Sequence, residues 1–210
     1  MFWQIRLLLI LLAAVELSFS QNSSPALQIN PAAPQQGDTL RISSSRPATH
    51  ARLGDRRIQL FAQTDNTLLG LMPIAANHRP GQFPIEILDS KGAVLTTQTV
   101  VIRKANFLEQ NVQLTRTLQE LKAAPGDAEA MRQFQAIVST DRNWFEPLSS
   151  PVPGCVVSPY GVQRLHNGKP TGNYHSGIDQ RGAAGTPVRA AAAGTVRLVK
   201  PLALGGNTVG

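Results

Sequence analysis

The stretch FPIEILDSKGAVLTTQTVVI, Phe83–Ile102, carries the strongest fold signal in this chain of 210 residues. Its first part alternates apolar and polar side chains as far as Leu88, and its last part, from Ala93, is rich in β-branched residues. Between them, Asp89–Gly92 supplies the Asp, Ser and Gly residues that favour turns. Because alternation with a period of two residues is typical of a half-buried strand, the stretch predicts a β-hairpin.

Shorter segments of the same kind precede this hairpin. They are separated by turn-forming stretches, among them 31–37 and Gly54–Asp55. The strand-like segments are Leu27–Ile29, Thr39–Ser43 and Ile58–Phe61. Short strands at this spacing, with Pro and Gly between them, are typical of a β-sandwich. The sequence therefore predicts a mainly β protein in which residues 25–104 form a small Ig-like β-sandwich.

The pattern changes after the predicted sandwich. Apolar residues recur at positions that approximate one helical face, namely Leu108, Val112, Leu118 and Leu121. After a break at 125–126, Asp127 is a suitable N-cap for a second helix. The apolar side chains of that helix would be Met131, Phe134, Ile137 and Val138. We therefore expect residues 105–143 to form a short helical linker.

The composition limits the kind of site that the chain can carry. Hydrophobic residues make up 42% of the chain, an ordinary share for a folded protein. The single cysteine, Cys155, excludes a disulfide framework and any zinc site built from several cysteines. Its valine neighbours predict a small buried side chain at this position. A metal site would therefore have to use His and carboxylate ligands.

The first twenty residues have the layout of a secretory signal peptide. A basic start is followed by the apolar run Leu7–Val15, and Ser18 and Ser20 supply small residues before a cleavage site at Gln21. The run is shorter than the roughly 20 apolar residues that a membrane span needs. We therefore expect residues 1–20 to be removed on export. The mature protein would lie in the periplasm, outside the cell or at the cell wall, without a membrane span.

The charge of the chain bears on its partners. The 20 Lys and Arg against 13 Asp and Glu give a formal net charge of +7. The basic residues are scattered, with no block interleaved with aromatic side chains, so we expect no binding to nucleic acid. A basic exported protein is attracted to anionic polymers of the envelope, by a force that salt weakens. The sequence predicts no particular oligomeric state.

One spacing in the last third of the chain suits a metal site. His175 and Asp179 lie four residues apart, with Gly177 between them. On a strand these positions share a face, but full extension would separate their Cα atoms by about 13 Å. A bend at Gly177, which has no Cβ, would bring the imidazole and the carboxylate together as candidate Zn²⁺ ligands. Such a pair also occurs by chance, and a catalytic zinc normally takes three protein ligands.

The surroundings of this pair favour β structure. Pro187–Ala190 and Thr195–Val199 are strand-like, and the small residues 191–194 between them predict a tight strand pairing. His166 precedes the turn sequence Asn167–Gly168, so we interpret it as a turn residue and not as a third ligand.

Residues 144–210 resemble the lysostaphin-like (LytM-type) zinc endopeptidases, which cut peptide cross-links of bacterial peptidoglycan. The motifs that carry the resemblance are SPYG at 158–161, Arg164 with Asn167–Gly168, YHSGID at 174–179, GTPVRAAAAGTV at 185–196 and GGNTVG at 205–210. Residues 25–143 also look like the accessory β-sandwich and linker that precede this domain in many exported members.

The resemblance implies zinc as the cofactor, peptidoglycan peptides as the substrate, and His175 and Asp179 as the first two zinc ligands. The family's third ligand and its catalytic histidine belong to a later H-x-H motif, which the 210 residues do not contain. By this resemblance the chain holds metal ligands but no catalytic residue. We therefore expect residues 144–210 to be the incomplete N-terminal part of a peptidase domain.

Two other functions are compatible with the sequence. A non-catalytic relative would keep the fold and act as a cell-wall-binding module or as a regulator of other wall hydrolases. An envelope adhesion or scaffold protein would instead use the β-sandwich as its working part. The H-x-H residues would separate the enzyme from the first alternative, and wall binding by residues 21–143 alone would favour the second.

Overall fold

The structure, a computed structural model, describes residues 26–45 and 47–210. The signal peptide predicted over residues 1–20 lies outside the described residues. Within them, no helix is both long enough and apolar enough to cross a membrane.

Two four-stranded sheets make up the first part of the described chain. Their strands are β1 Leu27–Asn30, β2 Thr39–Ser44, β3 His50–Leu53, β4 Arg56–Gln59, β5 Phe61–Ala62, β6 Leu68–Pro73, β7 Gly81–Leu88 and β8 Val94–Ile102. The spatial orders are β1-β2-β6-β5 and β4-β3-β7-β8, and every pairing is antiparallel. The mainly β prediction is confirmed.

The core of this sandwich lies between the two sheets. Alternation places Leu40 and Ile42 of β2 inside, and Ile85 and Ile87 of β7 meet them from the other sheet, all four fully buried. Burying one such side chain contributes about 1.5–3 kcal/mol. The sequence pattern missed two strands here, β3 and β6. The run LLGLMP of β6 is apolar over most of its length and lacks the alternation that marks a half-buried strand.

The hairpin predicted from Phe83–Ile102 is present as β7 and β8. Asp89 closes its turn, because one carboxylate oxygen accepts hydrogen bonds from the backbone N–H groups of Lys91 and Ala93, both at 2.8 Å. Gly92 has φ 87°, a left-handed conformation in which a side chain would be strained.

The linker is only partly helical, which corrects the prediction for residues 105–143. Its elements are β9 Glu109–Val112, α1 Arg116–Glu120 and α2 Asp127–Gln135. Leu108 and Val112 therefore do not lie on a helix with Leu118. Strand β9 instead pairs in parallel with a strand more than fifty residues later, a long-range partner that helical spacing alone does not reveal.

Helix α2 differs from its prediction at both ends. Asp127 is its first residue, with Gly126 in the N-cap position, and Ile137 and Val138 lie beyond its end. The Asp127 carboxylate does not cap the helix. It accepts a hydrogen bond from the backbone N–H of Ala203 at 2.8 Å and pairs with Lys200 Nζ at 3.2 Å.

Six short strands complete the described chain. They are β10 Val156–Ser158, β11 Gln163–His166, β12 Lys169–Tyr174, β13 Asp179–Gln180, β14 Val199–Leu202 and β15 Gly206–Val209. They form the sheets β12-β11-β9, β10-β13 and β14-β15. Strands β11 and β12 form a hairpin that turns at Asn167–Gly168.

Two predictions for this region are wrong. Pro187–Ala190 and Thr195–Leu198 are not strands, and their backbones bond to other segments: the N–H of Arg189 donates to Pro151 O, and the N–H groups of Arg197 and Leu198 donate to Gly210 O. Cys155 is exposed and not buried, since it lies on an edge where the next two valines are also half-exposed.

Candidate metal centre

The segment between β12 and β13 places His175 and Asp179 side by side. Strand β12 ends at Tyr174, the chain bends at Gly177, and β13 begins at Asp179. The bend expected at Gly177 is present, and the residues around it belong to two different sheets. As a result His175 Nε2 lies 3.2 Å from Asp179 Oδ1.

Backbone contacts fix both ends of this segment. The N–H of His175 donates to Val162 O at 2.8 Å, and the N–H of Gly161 donates to His175 O at 2.8 Å. On the other side, β13 pairs with β10 so that Asp179 lies opposite Ser158. Both candidate ligands are therefore held against 158–162, the segment that contains SPYG.

The contacts of Nδ1, the other ring nitrogen of His175, determine which of the two nitrogens carries the proton. Nδ1 lies 3.0 Å from the carbonyl oxygen of Pro159 and 3.1 Å from Oγ of Ser158. A carbonyl oxygen can only accept, so Nδ1 carries a proton in this arrangement. In the neutral ring, Nε2 is then unprotonated and directs its lone pair at Asp179.

Two acceptors facing each other at 3.2 Å repel unless a positive species lies between them. That species is either a proton on Nε2, which makes an ion pair, or a metal cation bound by both atoms. For a tetrahedral zinc with bonds of about 2.0–2.1 Å, two ligand atoms lie about 3.4 Å apart. The observed separation fits two ligands of one such ion.

Gly177 leaves room beside this pair. A Cβ built on Gly177 would lie 3.8 Å from His175 Nε2, next to the nitrogen that would bind the metal. The backbone of Gly177 does not have a positive φ, so glycine serves here to leave space and not to allow a special conformation.

Arg164 holds the second oxygen of the candidate carboxylate. Its Nη2 donates to Asp179 Oδ2 at 3.2 Å, which leaves Oδ1 directed at His175. The Arg164 side chain is 34% exposed, so the ion pair itself contributes little, about 0–1 kcal/mol. Its Nε is buried without a hydrogen-bond partner among the described residues. Its role is therefore to orient the carboxylate more than to stabilise the fold.

A cavity of about 180 Å³ adjoins the site on the side of Arg164. It lies between the sandwich, which contributes Ala76 and Asn77, and the hairpin β11–β12. Tyr160 closes the junction, because its hydroxyl oxygen accepts from the Ala76 N–H at 3.2 Å. The neighbouring Tyr174 has a raised pKa, first through its hydrogen bond with Tyr160 and then through burial.

The two candidate ligands do not form a complete zinc site with their surroundings. Among residues 26–45 and 47–210, no group of three or more His, Cys, Asp or Glu side chains is placed to hold a metal ion. His166, interpreted from sequence as a turn residue, is exposed at the end of β11 beside the turn. The described donors therefore fit two positions of a zinc site and leave the others open.

Sequence reasoning proposed His175 and Asp179 as ligands but assigned no role to the residues that contact them. Ser158, Pro159 and Arg164 all fall in motifs that carry the family resemblance, so the only sequence signal for them was that resemblance. Their positions around His175 and Asp179 follow from the β10–β13 and β11–β12 pairings, which connect residues far apart in sequence.

Comparison with known proteins identifies a similar fold. No protein-family model matches the chain, and a search of curated proteins finds no match. Among solved structures, the chain is similar to a Pseudomonas aeruginosa protein provisionally described as a peptidase M23. The two are 19% identical with a TM-score of 0.56, over 84% of this chain and 67% of that chain.

A second similarity is much weaker. It is to the Bacteroides ovatus mixed-linkage glucan utilisation protein SGBP-B in complex with a mixed-linkage heptasaccharide, at 19% identity. It covers 39% of this chain and 23% of that chain with a TM-score of 0.28, too low to support an argument. The first similarity therefore shows a shared fold.

Proposed function

We propose that this chain is part of an exported zinc-dependent endopeptidase that hydrolyses peptide cross-links of bacterial peptidoglycan. The observation that carries the proposal is the pair of acceptors, His175 Nε2 and Asp179 Oδ1, held 3.2 Å apart in a peptidase-like fold. Export and the substrate rest on the signal-peptide pattern and on the family resemblance. A positive net charge favours the same location, since it attracts the protein to anionic envelope polymers.

The residues of this chain would hold and orient the metal. His175 would bind through Nε2 because Nδ1 is committed to Pro159, and Asp179 would bind through Oδ1 because Arg164 holds Oδ2. Zinc, when bound, lowers the pKa of a water molecule and polarises the scissile carbonyl. Hydrolysis also needs a third ligand and a general base, which the described residues do not provide and which the resemblance assigns to an H-x-H motif.

Zinc binding by the 210-residue chain is the direct test. Titration of the metal-free protein with Zn²⁺ should give one ion per chain, and both His175→Ala and Asp179→Asn should abolish binding. His166→Ala is the matched control, because it removes an exposed histidine that contacts neither ligand. Equal zinc content in wild type and His175→Ala would show that the ligand assignment is wrong.

Activity is tested on the product of the complete gene. If the coding sequence continues past codon 210 into an H-x-H motif, that product should release peptide fragments from purified peptidoglycan. His175→Ala should remove this release, and a chelator should reproduce the loss. Undiminished hydrolysis by His175→Ala would contradict the proposal.

A second candidate function has its own support. The ion pair of Arg164 with Asp179 and the lack of a third ligand among the described residues both suit a non-catalytic relative that binds cell walls. In that case the protein should sediment with purified peptidoglycan equally well with and without a chelator. It should also bind no zinc, with a proton in place of the metal between His175 and Asp179.

A further inference from the structure

Strand β8 is an edge strand of the sandwich and lacks the features that usually protect such an edge. Edge strands in natural proteins are kept from pairing with other chains by short length, charged side chains or proline. Among the edge strands of the two described sheets, β1 has four residues, β5 has two, and β4 has four with Arg56 and Arg57 among them. Strand β8 has nine, Val94–Ile102, with neither a charge nor a proline. It pairs with β7 alone among the described residues, so its other side presents free backbone N–H and C=O groups.

The part of this edge that a new strand can reach is Thr96–Ile102. Over these seven residues β8 keeps an unbroken register with β7, which shifts on the far side of Thr96. Beyond the other end the backbone of Arg103 is already bonded, since its N–H donates to Pro34 O at 2.9 Å and its C=O accepts from the Gln36 N–H at 3.1 Å. The stretch therefore has a defined length and two defined ends.

Three β-branched side chains cover the outer face of this stretch. Val100 and Ile102 are buried in the core, so by alternation Thr97, Thr99 and Val101 lie on the opposite face. All three are exposed, Val101 over 51% of its surface. β-Branched side chains favour strands and stabilise pairs across neighbouring strands. The outer face is thus suited to one more strand beside it.

We propose that a second copy of this chain supplies that strand: β8 pairs antiparallel with β8 of the other copy, about a twofold axis at Thr99. The two four-stranded sheets β4-β3-β7-β8 would then form one continuous sheet. In this register Thr99 lies opposite Thr99 and Thr97 lies opposite Val101, and Thr–Thr and β-branched pairs are favourable across antiparallel strands. The inference goes beyond the proposed function and depends on neither the metal nor hydrolysis.

Charge favours a second copy over another partner. A twofold interface brings a surface against the same surface of the other copy, so that surface must be self-complementary. Thr96–Ile102 meets this condition because it carries no charge, and the nearest charged residues, Lys91 and Arg103, lie outside it. Pairing of β4 with itself would instead bring Arg56 and Arg57 against like charges. A charged partner, in turn, would find no opposite charge along β8.

Cysteine cross-linking tests the register of this pairing. Every cross-linking variant carries Cys155→Ser, because the native thiol is exposed. Thr99→Cys places the two introduced thiols opposite each other, with Cα atoms about 4.5–5.5 Å apart, which is within the range of a disulfide. Thr97→Cys is the matched control, because its two thiols would lie four residues apart along the paired strands, about 13 Å. Oxidised glutathione should therefore convert Thr99→Cys, and not Thr97→Cys, into a covalent dimer on a non-reducing gel.

Association without a cross-link is the second measurement. Because seven residues from each chain make a small interface, the wild-type chain should be a monomer at micromolar concentration and shift towards a dimer at millimolar concentration in sedimentation equilibrium. Thr99→Lys sets two cations against each other at the axis and should abolish this shift. Gln82→Lys adds the same charge on β7, one strand away from the edge, and should retain it. A wild type that stays monomeric at every concentration, or equal cross-linking of Thr99→Cys and Thr97→Cys, would overturn the inference.

Discussion

The close approach of Gly154 to the backbone of Arg181, near the candidate metal centre, predicts a strong effect of a single methyl group. A Cβ built on Gly154 would lie 1.6 Å from the carbonyl oxygen of Arg181 and 2.7 Å from its carbonyl carbon. Ordinary contact begins near 3.4 Å, so the substitution Gly154→Ala must separate the two backbones by about 1.8 Å. The atoms that the new methyl group would meet belong to the backbone of Arg181, which cannot move aside as the end of a flexible side chain can.

This displacement reaches Asp179 directly. Arg181 is bonded to the neighbour of Gly154, since its N–H donates to Cys155 O at 2.9 Å, and it follows β13, which begins at Asp179. Ligand positions need to be held within about 0.5 Å for a functional site. We therefore expect Gly154→Ala to lower the free energy of unfolding by about 1–3 kcal/mol and to weaken Zn²⁺ binding by at least tenfold.

The assay follows tryptophan fluorescence, since the chain has two tryptophans, Trp3 and Trp144. Trp144 is the only one that remains after removal of residues 1–20, so urea unfolding followed by its fluorescence reports on the C-terminal part of the chain. Gly194→Ala is the matched control, because its added Cβ meets nothing within 4 Å and its φ is not positive. Equal unfolding midpoints and equal zinc affinities for Gly154→Ala and Gly194→Ala would refute the reasoning.

Three further predictions follow from individual contacts. Gly177→Ala places a methyl group 3.8 Å from His175 Nε2 and should weaken Zn²⁺ binding several-fold in a titration. Its free energy of unfolding in urea should be unchanged or slightly higher. The N–H of Ala203, together with Lys200, lowers the pKa of Asp127 below its usual 3.8, so its contribution to stability is complete above that pH and is lost as the pH falls through the lowered value. Asp127→Asn should remove this part of the acid unfolding curve, measured by circular dichroism between pH 5 and pH 2, and identical curves would contradict the assignment. Burial and then Arg57 lower the pKa of His50 below 6.5, so an NMR titration should find it there, and Arg57→Gln should raise it; no change would mean that Arg57 does not act on the ring.

The sequence pattern predicted correctly those elements that depend on residues close together in the chain. The β7–β8 hairpin was readable because alternation and the turn residues at 89–92 lie within twenty residues of each other. Strand β9 was misread because Leu108 and Val112 are four residues apart, a spacing that suits a helix. Residues 109–112 form a strand because they pair with the edge of β11, and the spacing of apolar residues does not reveal that pairing.

The candidate site shows the same division. The His175–Asp179 spacing and the bend at Gly177 were visible in the sequence, because they depend only on chain geometry over five residues. The hydrogen-bond partners of these side chains were not, because Ser158 and Arg164 reach them through two separate strand pairings. Nothing in a single sequence states which strands will be neighbours.

The parallel pairing of β9 with β11 also bears on where the C-terminal unit of the chain begins. Resemblance to a family places that start at residue 144, whereas the sheet that carries Arg164 includes residues 109–112. A parallel pair needs a crossover of a dozen residues or more, and 113–162, with both helices, supplies it. Removal of β9 would leave β11 with an unpaired edge, which exposes a row of backbone N–H and C=O groups. The linker is therefore better described as the first strand and crossover of the C-terminal unit than as a tether between two independent parts.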